Sequence, residues 1–195
     1  MDYKILSNAE AEAQYADWAN MFKVDRPFLS GAANITHRFG QGEDSLEHIV
    51  IGYGNRVLSL VTFHVGRRKR GIWGRYLNVY YAYTIPDYRR LGLASSLMRS
   101  AEDIARSKEA HRIKSIAGSI RGFYLHRHLG HSMWGVTTEG SIIVDHYLVP
   151  EYDLPGVPPN VLGYAPDTKG TLSYTEAESL FREHKVGKAW ALLEQ

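Results

Sequence analysis

The segment Pro86-Asp87-Tyr88-Arg89-Arg90-Leu91-Gly92-Leu93-Ala94-Ser95 sets two arginines, a glycine and a small residue where a β-rich run gives way to an amphipathic helix. The first N–H groups of a helix have no intrahelical acceptor, and the helix dipole adds positive potential there. Together they attract anions. Gly92 lets the backbone approach a phosphate closely. Ala94 is too small to block that approach, and Arg89 and Arg90 add charge with fork geometry. This is chemistry suited to a pyrophosphate. An ordinary strand–helix connection can carry the same turn, so the turn alone leaves both readings open. A dinucleotide fold would want G-x-G-x-x-G after the first strand, and that pattern is absent.

Other side chains could move protons or meet a charged partner. His126 titrates in the right range for proton transfer, and it also reads as a solvated histidine in the basic segment His126-Arg127-His128. Tyr124 is close by, but residues two apart on a helix do not share a face. His64 shares strand parity with Leu58 and Leu60, which favours a buried structural role over that of a base. Asp145 and His146 face opposite sides of one strand and form no simple dyad. Arg67, Arg68, Lys69 and Arg70, with Trp73 and Arg75 close behind, suit phosphates and bases. They read equally as a solvated hairpin tip.

These residues need a scaffold. Tyr3 to Leu6 reads as a strand, and Asn8 as the cap of a helix carrying Glu10 and Glu12 in its first turns. Tyr15, Trp18, Ala19 and Phe22 continue it as one apolar stripe. Residues 23–42 read as loop plus a short helix. His48 to Tyr53 and Val57 to Val65 form a hairpin around Gly54-Asn55, and Tyr76 to Ile85 adds a third strand that Pro86 ends. The clearest helix follows, with Leu93, Ala94, Leu97, Met98, Ala101, Ile104 and Ala105 on one face. Ile113 to Ala117 is a strand, and Phe123 to Leu129 a short helix stopped by Gly130. Met133 to Thr137 and Ser141 to Leu148 make a last hairpin around Glu139-Gly140. The order predicts an α/β (α+β) fold: a central mixed, mostly antiparallel sheet with helices on both faces. Residues 1–149 form that domain. Residues 150–195 are an extension, an arm holding Pro150, Pro155, Pro158, Pro159 and Pro166 and then a helix. The helix docks on its own core or, as the less common outcome, on a second copy.

Composition bounds the rest. The chain has 195 residues, 44% of them hydrophobic, which suits a folded domain. It has no cysteine, which excludes disulfides, thiolate metal sites and a cysteine nucleophile, and no metal is expected. No apolar run approaches membrane-span length and the N-terminus lacks a secretory pattern, so a cytoplasmic protein is expected.

The pattern R-x-x-G-x-A, as Arg89, Gly92 and Ala94, resembles the acyl-CoA pyrophosphate motif of the GNAT acyltransferases. The resemblance spans roughly Tyr3 to Val149 and is strongest from Tyr76 to Gly135. It implies an N-acyltransferase that moves the acetyl group of acetyl-CoA to an amine by direct attack, with the phosphates at Arg89, Arg90, Leu91, Gly92, Leu93, Ala94 and Ser95. It implies a bulged strand splayed from its neighbour, where backbone near Tyr83, Thr84 and Ile85 holds pantetheine and polarises the acyl carbonyl. Counting back from Gly130 along the family's second landmark, N-x-x-A-x-x-L-Y-x-x-x-G-F, places Ser119 at the asparagine, beside the cofactor. Gly122 falls at the alanine, Leu125 at the leucine, His126 at the tyrosine and His131 at the phenylalanine. The family tyrosine protonates the departing thiolate, so His126, with Tyr124 in reserve, is the candidate acid. Many protein-directed members keep a glutamate base where this chain has Asn78, which cannot serve. A water relay, His64 or a partly neutral acceptor amine would then take its place. The family geometry puts the Arg67–Arg70 hairpin on the acceptor side, which keeps nucleic acid or a modified nucleobase as an alternative acceptor. The missing tyrosine and glutamate keep an inactive acyl-CoA-binding module as a further one.

Overall fold

A computed structural model describes residues 2–16, 18, 46–67, 75–136, 141–148 and 172–184. The elements are β1 (Lys4–Ser7), α1 (Asn8–Gln14), β2 (Glu47–Tyr53), β3 (Arg56–Arg67), β4 (Arg75–Thr84), a 3-10 turn (Pro86–Tyr88), α2 (Leu93–Ser107), β5 (Ala110–Ala117), α3 (Ile120–His128), β6 (Met133–Val136), β7 (Ile142–Tyr147) and α4 (Tyr174–His184). The seven strands form one sheet in the order β1-β2-β3-β4-β5-β7-β6. Only β4 and β5 run parallel, because α2 crosses over between them. The sheet is therefore mixed and mostly antiparallel, with helices on both faces. The short helix in residues 23–42, the Glu139-Gly140 turn and nearly all of the proline-rich arm lie outside the described residues.

α1 is capped by Ser7 and not Asn8. The Ser7 hydroxyl accepts from the Glu10 N–H at 3.3 Å, and the Glu10 carboxylate accepts from the Ser7 N–H at 2.7 Å. A reciprocal box needs its carboxylate three residues past the cap, and Glu10 stands three past Ser7. The helix also ends sooner than the apolar stripe implies, since Tyr15 is already extended at φ −118°. Tyr15 and Trp18 are still buried, but beyond the helix, while Ala19 and Phe22 lie outside the described residues. The Tyr15 ring occupies the space where a Cβ at Gly52 would stand, 2.6 Å from it, so only glycine fits there.

Two bulges decide which side chains share a face. Leu58 has no partner on β2, since Val57 pairs with Gly52 and Ser59 with Ile51. In β4 the extra residue is Tyr80, between Val79, which pairs with Phe63, and Tyr81, which pairs with Thr62. Each extra residue inverts the alternation beyond it. Leu77 and Val79 therefore face α2, whereas Tyr81 and Tyr83 face α1. For the same reason His64 shares its face with Leu60 but not with Leu58, contrary to simple parity.

The main core lies between α2 and the sheet, where Leu97, Met98 and Ala101 pack against Val61, Phe63, Leu77 and Ile113. Each large fully buried side chain there contributes about 1.5–3 kcal/mol. α3 lies on this same side, its Leu125 reaching the core. α4 docks on its own chain, with Ala177 buried beside Phe123 and Met133. Among the described residues no helix is long and apolar enough to cross a membrane.

On the α1 side of β5 and β7, Arg112 Nη1 donates to Asp145 Oδ2 at 3.1 Å, and both side chains are almost fully buried. Burial raises the Asp145 pKa more than Arg112 and Lys114 lower it. Asp145→Ala would leave a buried guanidinium uncompensated and should cost about 3–5 kcal/mol in urea unfolding. The double variant Arg112→Met/Asp145→Leu should cost clearly less. Burial also holds His48, whose Nδ1 lies 2.9 Å from Thr62 Oγ1, down at a pKa of about 4. Its folded pKa is below its unfolded value, so the unfolded chain binds more protons below pH ~6.5. Stability should therefore fall as pH drops from 6.5 towards 4, by roughly 1.4 kcal/mol per unit for this group. His48→Gln should flatten that slope in thermal melts.

Candidate active site

The sheet opens at one place. β4 and β5 pair from Arg75 to Val79 on one strand and from Ala110 to Ser115 on the other, and pairing stops there. Beyond that point β4 pairs only with β3, and β5 only with β7. Backbone groups alternate between the two edges of a strand. Ile85 donates its N–H to the Leu58 carbonyl at 3.0 Å, and the Tyr83 carbonyl accepts from the Ser59 hydroxyl at 3.0 Å. Tyr83 and Ile85 are thus committed to β3. Ala82 and Thr84 turn their peptide groups to the opening instead. Of Tyr83, Thr84 and Ile85, Thr84 turns its peptide to the opening and the other two turn theirs to β3.

The loop after β4 is shaped for an anion. Arg89 Nε donates to the Thr84 carbonyl at 3.0 Å and the guanidinium lies 5.7 Å over the Tyr83 ring, which ties the loop to the strand. Arg90 and Gly92 both take left-handed backbone, at φ 63° and 77°. The first bond of α2 runs from the Ser96 N–H to the Gly92 carbonyl at 2.9 Å. The N–H groups of Leu93, Ala94 and Ser95 have no acceptor among the described residues. The other described helices each have a side-chain cap on one of theirs: Ser7 accepts from Glu10 in α1, Ser119 from Gly122 in α3, and Ser173 from Glu176 in α4. Among the described helices α2 alone has neither a capping side chain nor an acid in its first turn, and space is open where a Cβ of Gly92 would point. Leu91 is exposed beside it.

The catalytic candidates separate. Tyr124 donates its hydroxyl to Glu178 at 2.8 Å and accepts from Arg182 at 3.3 Å, so it fastens α4 and does not join His126. Ser119 spends its hydroxyl on the α3 cap. His126 is buried, at 4% exposure, and is not a solvated histidine. Desolvation, then the charges of His131 and His146, push its pKa down to about 3, so it is neutral near pH 7. Its Nε2 lies 3.2 Å from Ser115 Oγ, and its Nδ1 2.9 Å from Nδ1 of His131. His131 Nε2 in turn lies 2.9 Å from Glu102 Oε1. Ser115 and Glu102 were not among the sequence candidates, and His131 appeared only as a mismatch to the family phenylalanine. The spacing of His126 and His131 around Gly130, which is left-handed at φ 75°, is the one local signal that pairs them.

His64 and Asn78 face each other across β3 and β4, on the α1 side. Arg67 ends β3 opposite Arg75, while Arg68, Lys69, Arg70 and Trp73 lie outside the described residues. Arg75 is engaged with the Lys108 carbonyl at the C-terminus of α2, 3.1 Å away. That end of the ten-residue β4 is about 30 Å from Thr84 and the anion loop. Among the described residues no group of three or more His, Asp or Glu is arranged to hold a metal.

No curated protein sequence matches the chain. Solved structures share its fold at low identity. An aminoglycoside 6'-N-acetyltransferase complexed with coenzyme A aligns with a TM-score of 0.58 and 9% identity, covering 77% of this chain and 98% of its own. GCN5 of Tetrahymena aligns at 0.54 and 14% identity, with coverage of 77% and 98%. A ribosomal-protein-alanine N-acetyltransferase of Brucella melitensis aligns at 0.50 and 18% identity, with coverage of 66% and 91%. The sequence profile of the acetyltransferase (GNAT) family matches residues 12–130, more than half of the chain and both walls of the sheet opening. With that match, the chain belongs to the GNAT family of acetyl-CoA-dependent N-acyltransferases.

Proposed function

We propose that the loop from Arg89 to Ser95 holds the pyrophosphate of acetyl-CoA, and that the β4–β5 opening receives its pantetheine arm. The observation that carries this reading is the bare N-terminus of α2. It sits at the end of β4 that borders the opening, and three N–H groups there lack acceptors. The fit is good on charge and on space, since no acid stands in the first turn and the Gly92 direction is open. Bound as its thioester, the cofactor supplies an acyl carbon activated by a sulfur leaving group. The chain's own residues do the rest. Arg90 adds charge beside the phosphates, and Arg89 keeps the loop in register with β4. The Ala82 and Thr84 peptide groups pair with the pantetheine amides and orient the acyl carbonyl. The acceptor amine approaches from the α1 side, where His64 and Asn78 stand.

The acceptor's class is wider than the fold. The aligned enzymes include one named for an aminoglycoside and one for a ribosomal-protein alanine, so shared architecture selects neither. The reading places the enzyme in the cytoplasm, in keeping with its lack of cysteine. Incubating a cell extract with labelled acetyl-CoA and the protein should reveal a mass-shifted amine. Label transfer to none of the extract's amines, nucleic acids included, would leave an acyl-CoA-binding module.

Gly92→Glu would put a side chain at a left-handed position and a negative charge in the cradle. CoA affinity by calorimetry should fall more than tenfold, over about 1.4 kcal/mol. Unchanged affinity in the folded variant would remove the loop from the site. Replacing Arg67, Arg68, Lys69 and Arg70 by serine should leave CoA affinity intact. With an acidic acceptor, KM should rise and its salt dependence flatten. With a small neutral amine neither should change.

A further inference from the structure

Ser115 borders the opening, as the last residue of β5 paired with β4, and its hydroxyl lies on the α2 side of the sheet there. Behind it runs an unbroken chain of polar atoms through His126 and His131 to Glu102. Ser115, His126 and His131 are all buried, whereas the Glu102 side chain is 14% exposed and lies 3.7 Å from Arg106, which is half exposed. The chain thus leads from the opening to solvent. His146 stacks on His131 with centroids 4.6 Å apart, and Tyr174 donates to the His131 carbonyl at 3.2 Å. These contacts hold the His131 ring from β7 and its backbone from α4.

We propose that Ser115, His126, His131 and Glu102 form a proton relay that protonates the departing thiolate through the Ser115 hydroxyl. The proposal rests on the acyl-transfer reading above. The donor–acceptor logic supports it. Glu102 is an acceptor, because His131, Arg106 and His146 together outweigh the effect of its burial and hold its pKa low. His131 therefore carries a proton on Nε2. With His131 neutral, its Nδ1 accepts from His126 Nδ1–H, His126 Nε2 accepts from Ser115, and the Ser115 hydrogen points inward. One proton added to Nδ1 of His131 reverses every bond. His126 then carries its hydrogen on Nε2 and donates to Ser115, whose own hydrogen turns to the opening. The charge stays on His131 beside Glu102, and His126 remains neutral throughout, as its burial demands.

In the transfer step the amine nitrogen attacks the acyl carbon, the C–N bond forms and the C–S bond breaks, leaving the electron pair on sulfur. Sulfur takes the Ser115 hydrogen, Ser115 takes one from His126 Nε2, and His126 Nδ1 takes one from His131 Nδ1. His131 keeps its Nε2 hydrogen on Glu102 and regains the one on Nδ1 by the same path in reverse, from water in the emptied opening through Ser115 and His126. The proton lost by the amine leaves to water. Ser115 is the group that touches sulfur, and His126, His131 and Glu102 act through it.

CoA itself, with its free thiol, is the probe. Calorimetry first establishes CoA binding to the wild type. Absence of binding sinks the acyl-transfer reading, which separates that failure from failure of the relay. The thiol of bound CoA is then titrated by ultraviolet absorbance of its thiolate. Ser115→Ala and His131→Gln should each raise the thiol midpoint by about one pH unit or more, a tenfold loss of thiolate stabilisation, while CoA affinity stays nearly constant. Ser115→Thr should restore it. Nitrogen-15 NMR of histidine in the wild-type complex needs no variant to fold. It should show the His126 hydrogen moving from Nδ1 to Nε2 as His131 takes up a proton. An unchanged thiol midpoint in the variants, or a His126 tautomer fixed across the titration, would overturn the relay and leave the cluster as packing.

Discussion

Tyr80 is the extra residue of a bulge in β4, and the opening of the sheet depends on it. Before it, β4 is hydrogen-bonded on both edges. After it the strand bends, its side chains exchange faces, and pairing with β5 is lost. Tyr81 and Tyr83 turn into the α1-side core, which holds the bent segment in place. The Ser59 hydroxyl adds a second tie through the Tyr83 carbonyl and Thr84 Oγ1, the latter at 2.8 Å. What remains is an edge of β4 without a strand partner, where the Ala82 peptide and the Thr84 N–H face a gap inside the sheet. Unpaired backbone in such a place is costly unless something fills it. The same segment ends at Pro86 and delivers the chain to the α2 N-terminus, so one bulge aligns the gap with the anion loop.

β5 divides the polar groups of the domain by strand alternation. Arg112 and Lys114 face the α1 side, with Asp145 across from them on β7. Ser115 faces the α2 side, where α3 brings His126 and α2 brings Glu102. Charge is handled differently on the two sides. The Arg112–Asp145 pair is ionic and deeply buried, so it confers a fixed register at a desolvation cost. The histidines are joined in a hydrogen-bonded chain in which His126 is neutral, and the ionic group, Glu102, sits at the rim. A chain of this kind can pass a proton while its charge rests on His131, beside Glu102, and not on His126.

Local signals were legible in the sequence, and long-range ones were not. Gly92 and Arg89 could be found because a left-handed cap and an adjacent cation belong to one short segment. The strands and α2 followed from periodicity, and the family's order gave the sheet and its splay. Strand parity failed at Leu58, because a bulge leaves no mark in the residue pattern. Parity alone also does not say which β4 peptides face the gap, since register with β3 turns Ala82 there and keeps Tyr83 and Ile85 on β3. Asn8 was a reasonable cap by type, but the Glu10 spacing favours Ser7. The relay was out of reach for the same reason. Ser115, His126, His131 and Glu102 come from β5, the last turn of α3, the turn after it, and α2, and only the packed sheet brings them into line.

The central claim is that one ligand fills both the β4 edge and the α2 N-terminus. Backbone hydrogen exchange with and without CoA tests it residue by residue. The account predicts new protection at the amides of Ala82, Thr84, Leu93, Ala94 and Ser95. It predicts little change at Ile85, which is already bonded to Leu58. Protection confined to the far end of β4 near Arg75, or bound CoA that leaves the Ala82 and Thr84 amides exchanging freely, would contradict it.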